Sequence, residues 1–83
     1  MFKDQLPVQE GNTLRMTGDS RSVRKGQDTD IYTYEETNQA GDLVARYEVH
    51  DSMSIYPPFG RTVTFTATDS TGKTIIPNGR LSV

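Results

Sequence analysis

The chain has 83 residues, a formal net charge of −2 and a hydrophobic fraction of 33%, so we expect one small domain with a modest core. It contains no cysteine and one histidine, which excludes disulfides and leaves a zinc site short of ligands. The N-terminus lacks the apolar stretch of a signal peptide, and no run approaches the ~20 apolar residues that span a membrane. We therefore expect a cytoplasmic protein with no cofactor, no metal site and no membrane partner.

The first 29 residues are poor in apolar side chains, and Gly, Asp, Arg and Ser dominate there. Burial of apolar side chains is the main free-energy gain that orders a chain. We therefore predict that residues 1–29 form a loosely ordered, partly irregular segment. Within it, residues 12–17 form a short strand that carries Leu14 and Met16. The antiparallel β core is expected from residues 30–83.

A long hairpin is predicted over residues 30–49, where apolar and polar residues alternate with period two. With a turn at residues 38–41, Tyr34 lies opposite Ala45, and the turn residues and the hydrophobic pattern select the same register. The inward face of this hairpin then holds six side chains: Tyr32, Tyr34, Leu43, Ala45, Tyr47 and Val49.

The sequence IYPPFG ends this hairpin, because Pro57 and Pro58 have no N–H to donate to a strand. A Pro-Pro segment is stiff and loses little entropy when it is bound, and the flanking aromatics are of the kind that anchor protein interfaces. The sequence therefore predicts a partner-binding loop at Tyr56, Pro57, Pro58 and Phe59. The alternative is a strand connector whose two rings close one end of the core.

The strand predicted over residues 61–68 places Val63, Phe65 and Ala67 on one face and four threonines on the other. Its outer face has few charges that would deter pairing with another chain. If this strand lies at a sheet edge, it offers a place for dimerisation or for strand addition by a partner.

A second hairpin is predicted over residues 67–76, because turn-forming residues occupy positions 69–72. Two registers remain open: either Ile76 lies opposite Phe65, or a bulged turn brings Ile75 inward. After this hairpin, the sequence IPNG predicts a further turn and RLSV a short final strand.

Together these elements predict an all-β chain, a small antiparallel meander of four to six strands with a loosely ordered N-terminal segment. An open sheet, a small barrel and a sandwich are all compatible with the pattern.

The segment ATDSTGKT, residues 67–74, fits a phosphate-binding loop if Ala67 stands in for the first glycine. Such a loop needs a helix directly after it, yet Pro77 lies where the first turns of that helix would be. Only nine residues follow Thr74, too few for a crossover helix and a parallel strand. We predict a turn here and not a nucleotide site.

His50, Asp51 and Ser52 are consecutive in the sequence, which raises the question of a hydrolase triad. On a strand, adjacent side chains point to opposite faces, so Asp51 cannot orient the histidine that would serve Ser52. Four carboxylates are expected on the solvated face or at strand ends: Glu35, Glu36, Glu48 and Asp51. We therefore predict that the protein is not an enzyme.

Positive charge is clustered in one segment, residues 15–25, which can contact phosphates. The residues involved are Arg15, Arg21, Arg24 and Lys25. Single-strand binders stack bases on exposed aromatics, whereas the tyrosines here are expected in the core, and the chain lacks the basic balance typical of such binders. Weak nucleic-acid binding is therefore the alternative function.

The main functional hypothesis is a small non-enzymatic β domain that acts as a protein–protein interaction or accessory module. Its expected partner is an unidentified protein, or a second copy that pairs through a strand edge, because oligomerisation is one route to stability at this size.

Overall fold

The computed structural model describes residues 5–24 and 26–81. The described part contains no helix and five strands: β1 (Thr13–Arg24), β2 (Gln27–Thr37), β3 (Leu43–Ser54), β4 (Arg61–Asp69) and β5 (Thr74–Leu81).

The five strands form one open sheet in the order β1-β2-β3-β4-β5, and all four neighbouring pairs are antiparallel. This confirms the predicted all-β antiparallel meander and selects the open sheet among the three alternatives. The edge strands are β1 and β5. The threonine-rich strand β4 lies between β3 and β5, so the expectation that it offers a free edge is wrong, because both of its edges are already paired.

Strand β1 continues to Arg24, well past the predicted end at residue 17. A β-bulge explains why the sequence pattern appears to stop: Met16 pairs with Tyr34 and Gly18 pairs with Thr33, so one extra residue lies between them. The extra residue reverses the alternation of β1. Polar residues therefore occupy the positions after the bulge that point to the core side of the sheet.

The β2–β3 hairpin keeps the predicted faces from Ala45 onward but shifts the register by two residues. The prediction that Leu43 faces inward is wrong, because a β-bulge next to the turn places Leu43 opposite Thr37, and Val44 packs against the core instead. Tyr34 lies opposite Tyr47, and not opposite Ala45 as predicted. The turn is wider than expected because the Asn38 side chain accepts hydrogen bonds from the backbone N–H groups of Ala40 at 2.9 Å and Asp42 at 3.0 Å. A shift by two residues preserves the facing of the side chains in the regular part of the hairpin, since the period of a strand is two.

The β4–β5 hairpin contains two register shifts, and its pairs differ from both predicted registers. Phe65 lies opposite Gly79, while Ile76 lies opposite Ala67 and packs against the core; Ile75 is exposed. The segment IPNG was predicted as a turn, and this is wrong because it lies within β5. An edge strand tolerates the proline, since one side of its backbone needs no hydrogen-bonding partner.

The core lies on one face of the sheet and contains nine buried apolar residues: Leu6, Tyr34, Ala45, Tyr47, Val49, Val63, Phe65, Ala67 and Leu81. The rings of Tyr47 and Phe65 meet at the centre with centroids 6.3 Å apart. Leu6 belongs to residues 5–12, which we call the N-terminal strap and which carry no strand. The core is therefore not confined to residues 30–83, because the strap contributes an apolar side chain to it.

Glu36 is buried, with 2% of its surface exposed, so the prediction that it faces solvent or lies at a strand end is wrong. The Tyr47 hydroxyl donates to its Oε1 at 2.6 Å. The Asn12 amide at 2.6 Å and the Gln9 backbone N–H at 3.1 Å donate to its Oε2. The Glu36 carboxylate therefore lies between the strap and the sheet, and its hydrogen bonds link the two.

The electrostatic balance at Glu36 favours the ionised form. Burial by itself raises the pKa of Glu36, but the three hydrogen bonds donated by Tyr47, Asn12 and Gln9 outweigh it and hold the pKa below its usual value. Burial, followed by the Glu36 carboxylate, raises the pKa of Tyr47 well above its usual range. Both groups thus keep the protonation states that their hydrogen bond requires.

Within residues 5–24 and 26–81, no helix is long and apolar enough to cross a membrane.

Candidate functional site

The end of the sheet opposite the N-terminal strap carries a group of apolar side chains on the surface. These residues, which we call the apolar tip, are Val23, Met53, Ile55, Tyr56 and Phe59, and each is between 43% and 64% exposed. Three of them belong to the β3–β4 connection that contains the predicted partner-binding residues. Pro57 and Pro58 are exposed between them and are joined by a cis peptide bond. The structure thus places all four predicted residues on the surface.

The tip loop is held by its own backbone. The Ser54 N–H donates to the Gly60 carbonyl at 3.0 Å, and the Phe59 N–H donates to the Tyr56 carbonyl at 2.9 Å. At the start of the loop, the Tyr56 N–H donates to the Ser54 Oγ at 3.2 Å. These bonds fix the loop before any partner arrives, which lowers the entropy that binding costs.

The β1–β2 turn supports the loop from the side. The Ile55 N–H donates to the Gly26 carbonyl at 2.9 Å, and the Tyr56 ring lies directly against the Gly26 backbone. A Cβ at position 26 would overlap that ring, and Gly26 also has a φ of +77°, a region that side-chain-bearing residues rarely adopt. Glycine is therefore required here, both by the turn and by the packing of Tyr56.

Phe59 has a φ of +58°. A left-handed backbone conformation costs a bulky aromatic residue about 1–3 kcal/mol and persists only where the surroundings determine it. The loop keeps this conformation while leaving more than half of the ring surface exposed. In a loop of pure structural function, that ring would be expected to contact the core.

The predicted nucleic-acid residues do not converge. Arg15 lies on the polar face of the sheet beside Glu35, with 4.0 Å between their charged atoms. Arg21 lies on the opposite face, where its guanidinium donates two hydrogen bonds to Asp28. The β1 bulge between them is the reason for this separation. Lys25 and the side chain of Arg24 fall outside the described part of the structure.

The geometry of His50, Asp51 and Ser52 follows the sequence argument. His50 Nε2 lies 2.6 Å from Glu48 Oε1 on the polar face, while Asp51 accepts two hydrogen bonds from Arg61 on the core side. The prediction that Asp51 lies on the solvated face or at a strand end is therefore wrong, and only 12% of its side chain is exposed. No group of three or more potential metal-binding side chains occurs among the residues that the structure describes.

The phosphate-loop pattern forms the β4–β5 turn, as predicted. Asp69 closes it by accepting hydrogen bonds from the backbone N–H groups of Thr71 at 2.9 Å and Lys73 at 3.0 Å. The Thr71 hydroxyl also donates to Asp69, and this bond lowers the pKa of Asp69 most. The backbone bonds lower it further. The loop amides are therefore used by a carboxylate of the chain itself.

Sequence reasoning missed two parts of the tip, Val23 and Gly26. Val23 follows the bulge in β1, so its facing cannot be read from the alternation that precedes it. The contact between Gly26 and Tyr56 joins residues 30 positions apart and depends on the order of strands in the sheet. The sequence had assigned the basic residues next to this turn only to phosphate contact, because of their positive charge.

Comparison of the chain with models of protein families, with curated proteins and with solved structures finds no match.

Proposed function

We propose that the protein is a non-enzymatic interaction module that binds a protein partner through the apolar tip. The observation that carries this proposal is the combination of exposure and rigidity at Tyr56 and Phe59. Exposed apolar clusters on small proteins mark contact surfaces, and aromatic side chains are enriched among the residues that dominate binding free energy. A preformed loop binds more tightly than a mobile one because less order has to be imposed on it.

The tip is too small to hold two molecules together by itself. A stable protein interface buries about 1,200–2,000 Å² in total, which five side chains do not supply alone. We therefore expect a partner to contact the tip and the sheet surface next to it together. Pairing through the free edges of β1 or β5 is the second mode in which a partner or another copy can bind. The cytoplasmic location stays a prediction.

Affinity capture from a native lysate treated with nuclease tests the proposal. Three baits are compared: the unchanged protein, Phe59→Ser and Ile75→Ser. Ile75 is a matched control because it is an apolar residue of similar exposure, 53% against 55%, at the start of β5 and far from the tip. Melting curves of all three baits establish that each is folded.

The proposal predicts a specific protein that is captured by the unchanged bait and by Ile75→Ser, and is reduced at least tenfold with Phe59→Ser. Equal capture by all three baits would remove the tip from the binding surface. A partner that disappears with nuclease in every case would instead favour the basic segment 15–25.

A further inference from the structure

The face of the sheet that leads from the apolar tip towards the core is acidic. Three rows of directly opposed residues cross strands β1 to β4 there. The row at the tip contains Val23, Asp28, Met53 and Arg61. The second row contains Arg21, Asp30, Asp51 and Val63. The third row contains Asp19, Tyr32, Val49 and Phe65.

Successive rows are about 7 Å apart, since every second residue of a strand shares a face. A single bound segment can therefore contact the tip and these carboxylates together.

The charges in these rows are not balanced. Arg21 pairs with Asp28, and Arg61 pairs with Asp51. Two carboxylates remain, and no described side chain forms an ion pair with Asp19 or Asp30. Four aspartates against two arginines leave the residues of these three rows with a net charge of −2, next to the apolar tip.

Asp30 lies directly opposite Asp51 across the β2–β3 pair. Asp51 is neutralised by its ion pair with Arg61, whereas Asp30 has only the more distant charges of Arg21 and Arg61 near it. Asp30 is therefore the carboxylate of this pair that can take up a further cation.

Asp19 and Asp30 line an open depression of about 220 Å³ together with Ser20, Arg21 and Tyr32. Burial raises the pKa of Tyr32, and the charges of Asp30, Asp51 and Asp19 raise it further, which agrees with a negative potential in the depression. The volume of the depression and its two unpaired carboxylates suit the end of one lysine or arginine side chain.

Building on the proposed function, we infer that the partner of the apolar tip is a positively charged protein segment. Its apolar side chains pack on Tyr56 and Phe59, and a lysine or arginine beside them enters the depression between Asp19 and Asp30. The same carboxylates repel nucleic acid and acidic lipid surfaces, and thus provide specificity against them.

Selection of random dodecapeptides displayed on phage against the immobilised protein tests the inference. Enriched peptides are synthesised with a fluorescent label, and their affinities are measured by polarisation. Four proteins are compared: the unchanged chain, Phe59→Ser, the double variant Asp19→Asn/Asp30→Asn, and the control Glu10→Gln/Asp42→Asn. The control removes two exposed carboxylates outside the three rows.

The inference predicts peptides that combine apolar residues with lysine or arginine. Their affinity falls about tenfold in Asp19→Asn/Asp30→Asn, stays within about twofold in the control, and weakens as salt rises to about 0.15 M. A merely structural role of these carboxylates predicts that Asp19→Asn/Asp30→Asn loses binding only together with a marked fall in melting temperature. The inference predicts weaker binding by a variant that is still folded at the temperature of the measurement.

Two results would overturn the inference in distinguishable ways. Peptides that lose binding with Phe59→Ser but show no excess of basic residues, or no loss with Asp19→Asn/Asp30→Asn, would contradict the basic partner and leave the proposed function intact. Absence of any peptide whose binding depends on Phe59 would contradict both.

Discussion

The two ends of the sheet differ in the burial of the apolar side chains that their irregular segments carry. At one end the N-terminal strap crosses the core face, places Leu6 against it and is bound to the sheet through Glu36. At the other end Tyr56 and Phe59 stay exposed on a loop that is equally well fixed by hydrogen bonds. Both ends are built by short irregular segments at the ends of strands, yet only one of them uses its apolar side chains to close the core.

This difference shows that exposure of the tip is not a consequence of a loose loop, since the loop is held by backbone hydrogen bonds. The N-terminal strap covers the apolar side chains at its own end of the sheet, with one buried leucine and through one buried carboxylate. In a chain whose hydrophobic fraction is 33%, several large apolar side chains that stay outside the core represent a loss of folding free energy. That loss is explained if the tip is covered by a partner.

Replacement of Glu36 by alanine breaks the covered end and has the largest expected effect. The Tyr47 hydroxyl, the Asn12 amide and the Gln9 N–H lose their acceptor, so we expect a loss of about 3 kcal/mol in the free energy of unfolding. For a domain of this size that is most of its stability. Urea denaturation measures the loss.

The neighbouring carboxylate provides the control for that variant. Glu35 lies on the polar face in a surface ion pair with Arg46, so Glu35→Ala is expected to change stability by at most about 1 kcal/mol. Equal losses in the two variants would show that the strap is not held through Glu36.

Replacement of Gly26 by alanine breaks the exposed end without touching the core. The left-handed backbone and the overlap with the Tyr56 ring together cost about 2 kcal/mol and displace the loop. Gly60→Ala is the matched control, because its Cβ would meet no atom within 4 Å. Differential scanning calorimetry is expected to show a lower melting temperature for Gly26→Ala alone, accompanied by loss of partner binding. Equal melting temperatures and equal partner binding of the two glycine variants would show that Gly26 does not support the tip.

Acid is expected to loosen the covered end. The folded-state pKa of Glu36 is depressed, so its contribution to stability is present above the ordinary carboxylate pKa and is lost as pH falls through the folded value. Asp28, held by Arg21, and Asp69 have lowered pKa values and act in the same direction. Urea midpoints between neutral pH and about pH 3 measure this dependence. In Glu36→Gln the midpoint is expected to fall less steeply; an unchanged slope would show that Glu36 is not a source of it.

Replacement of Phe59 by serine has the smallest expected effect on stability. Because 55% of this side chain is exposed and its ring is absent from the core, the free energy of unfolding is expected to change by no more than about 0.5 kcal/mol. A loss above about 2 kcal/mol in urea denaturation would mean that Phe59 closes the core end, as the alternative interpretation of the sequence holds.

Side-chain facing was predictable from the sequence along the regular parts of the strands, but not at the β-bulge beside Leu43. Tyr34, Tyr47 and Phe65 were assigned to the core correctly, because burial of one face makes a shift of a single residue costly. The shift of two residues in the β2–β3 register was not predictable, since it depends on hydrogen bonds that the Asn38 side chain makes within its own turn.

Glu36 was missed although the sequence contained a signal for it. It continues the alternation of Tyr32 and Tyr34, which places it on the core side of β2, yet a carboxylate at that position is normally taken as solvated. Two of its three hydrogen-bond partners come from the strap, and their approach depends on tertiary packing. The four residues of the tip loop were predicted to be at the surface, whereas the support from Gly26 and the acidic rows required the strand order.

Photo-crosslinking at the tip tests the central claim most directly. A photo-reactive amino acid is placed at position 59 in one bait and at position 75 in another, and both are irradiated in nuclease-treated native lysate. The account predicts one dominant protein adduct at position 59 and none of that protein at position 75. No adduct at position 59, or the same adducts at both positions, would contradict the claim that the apolar tip is the surface through which this protein binds.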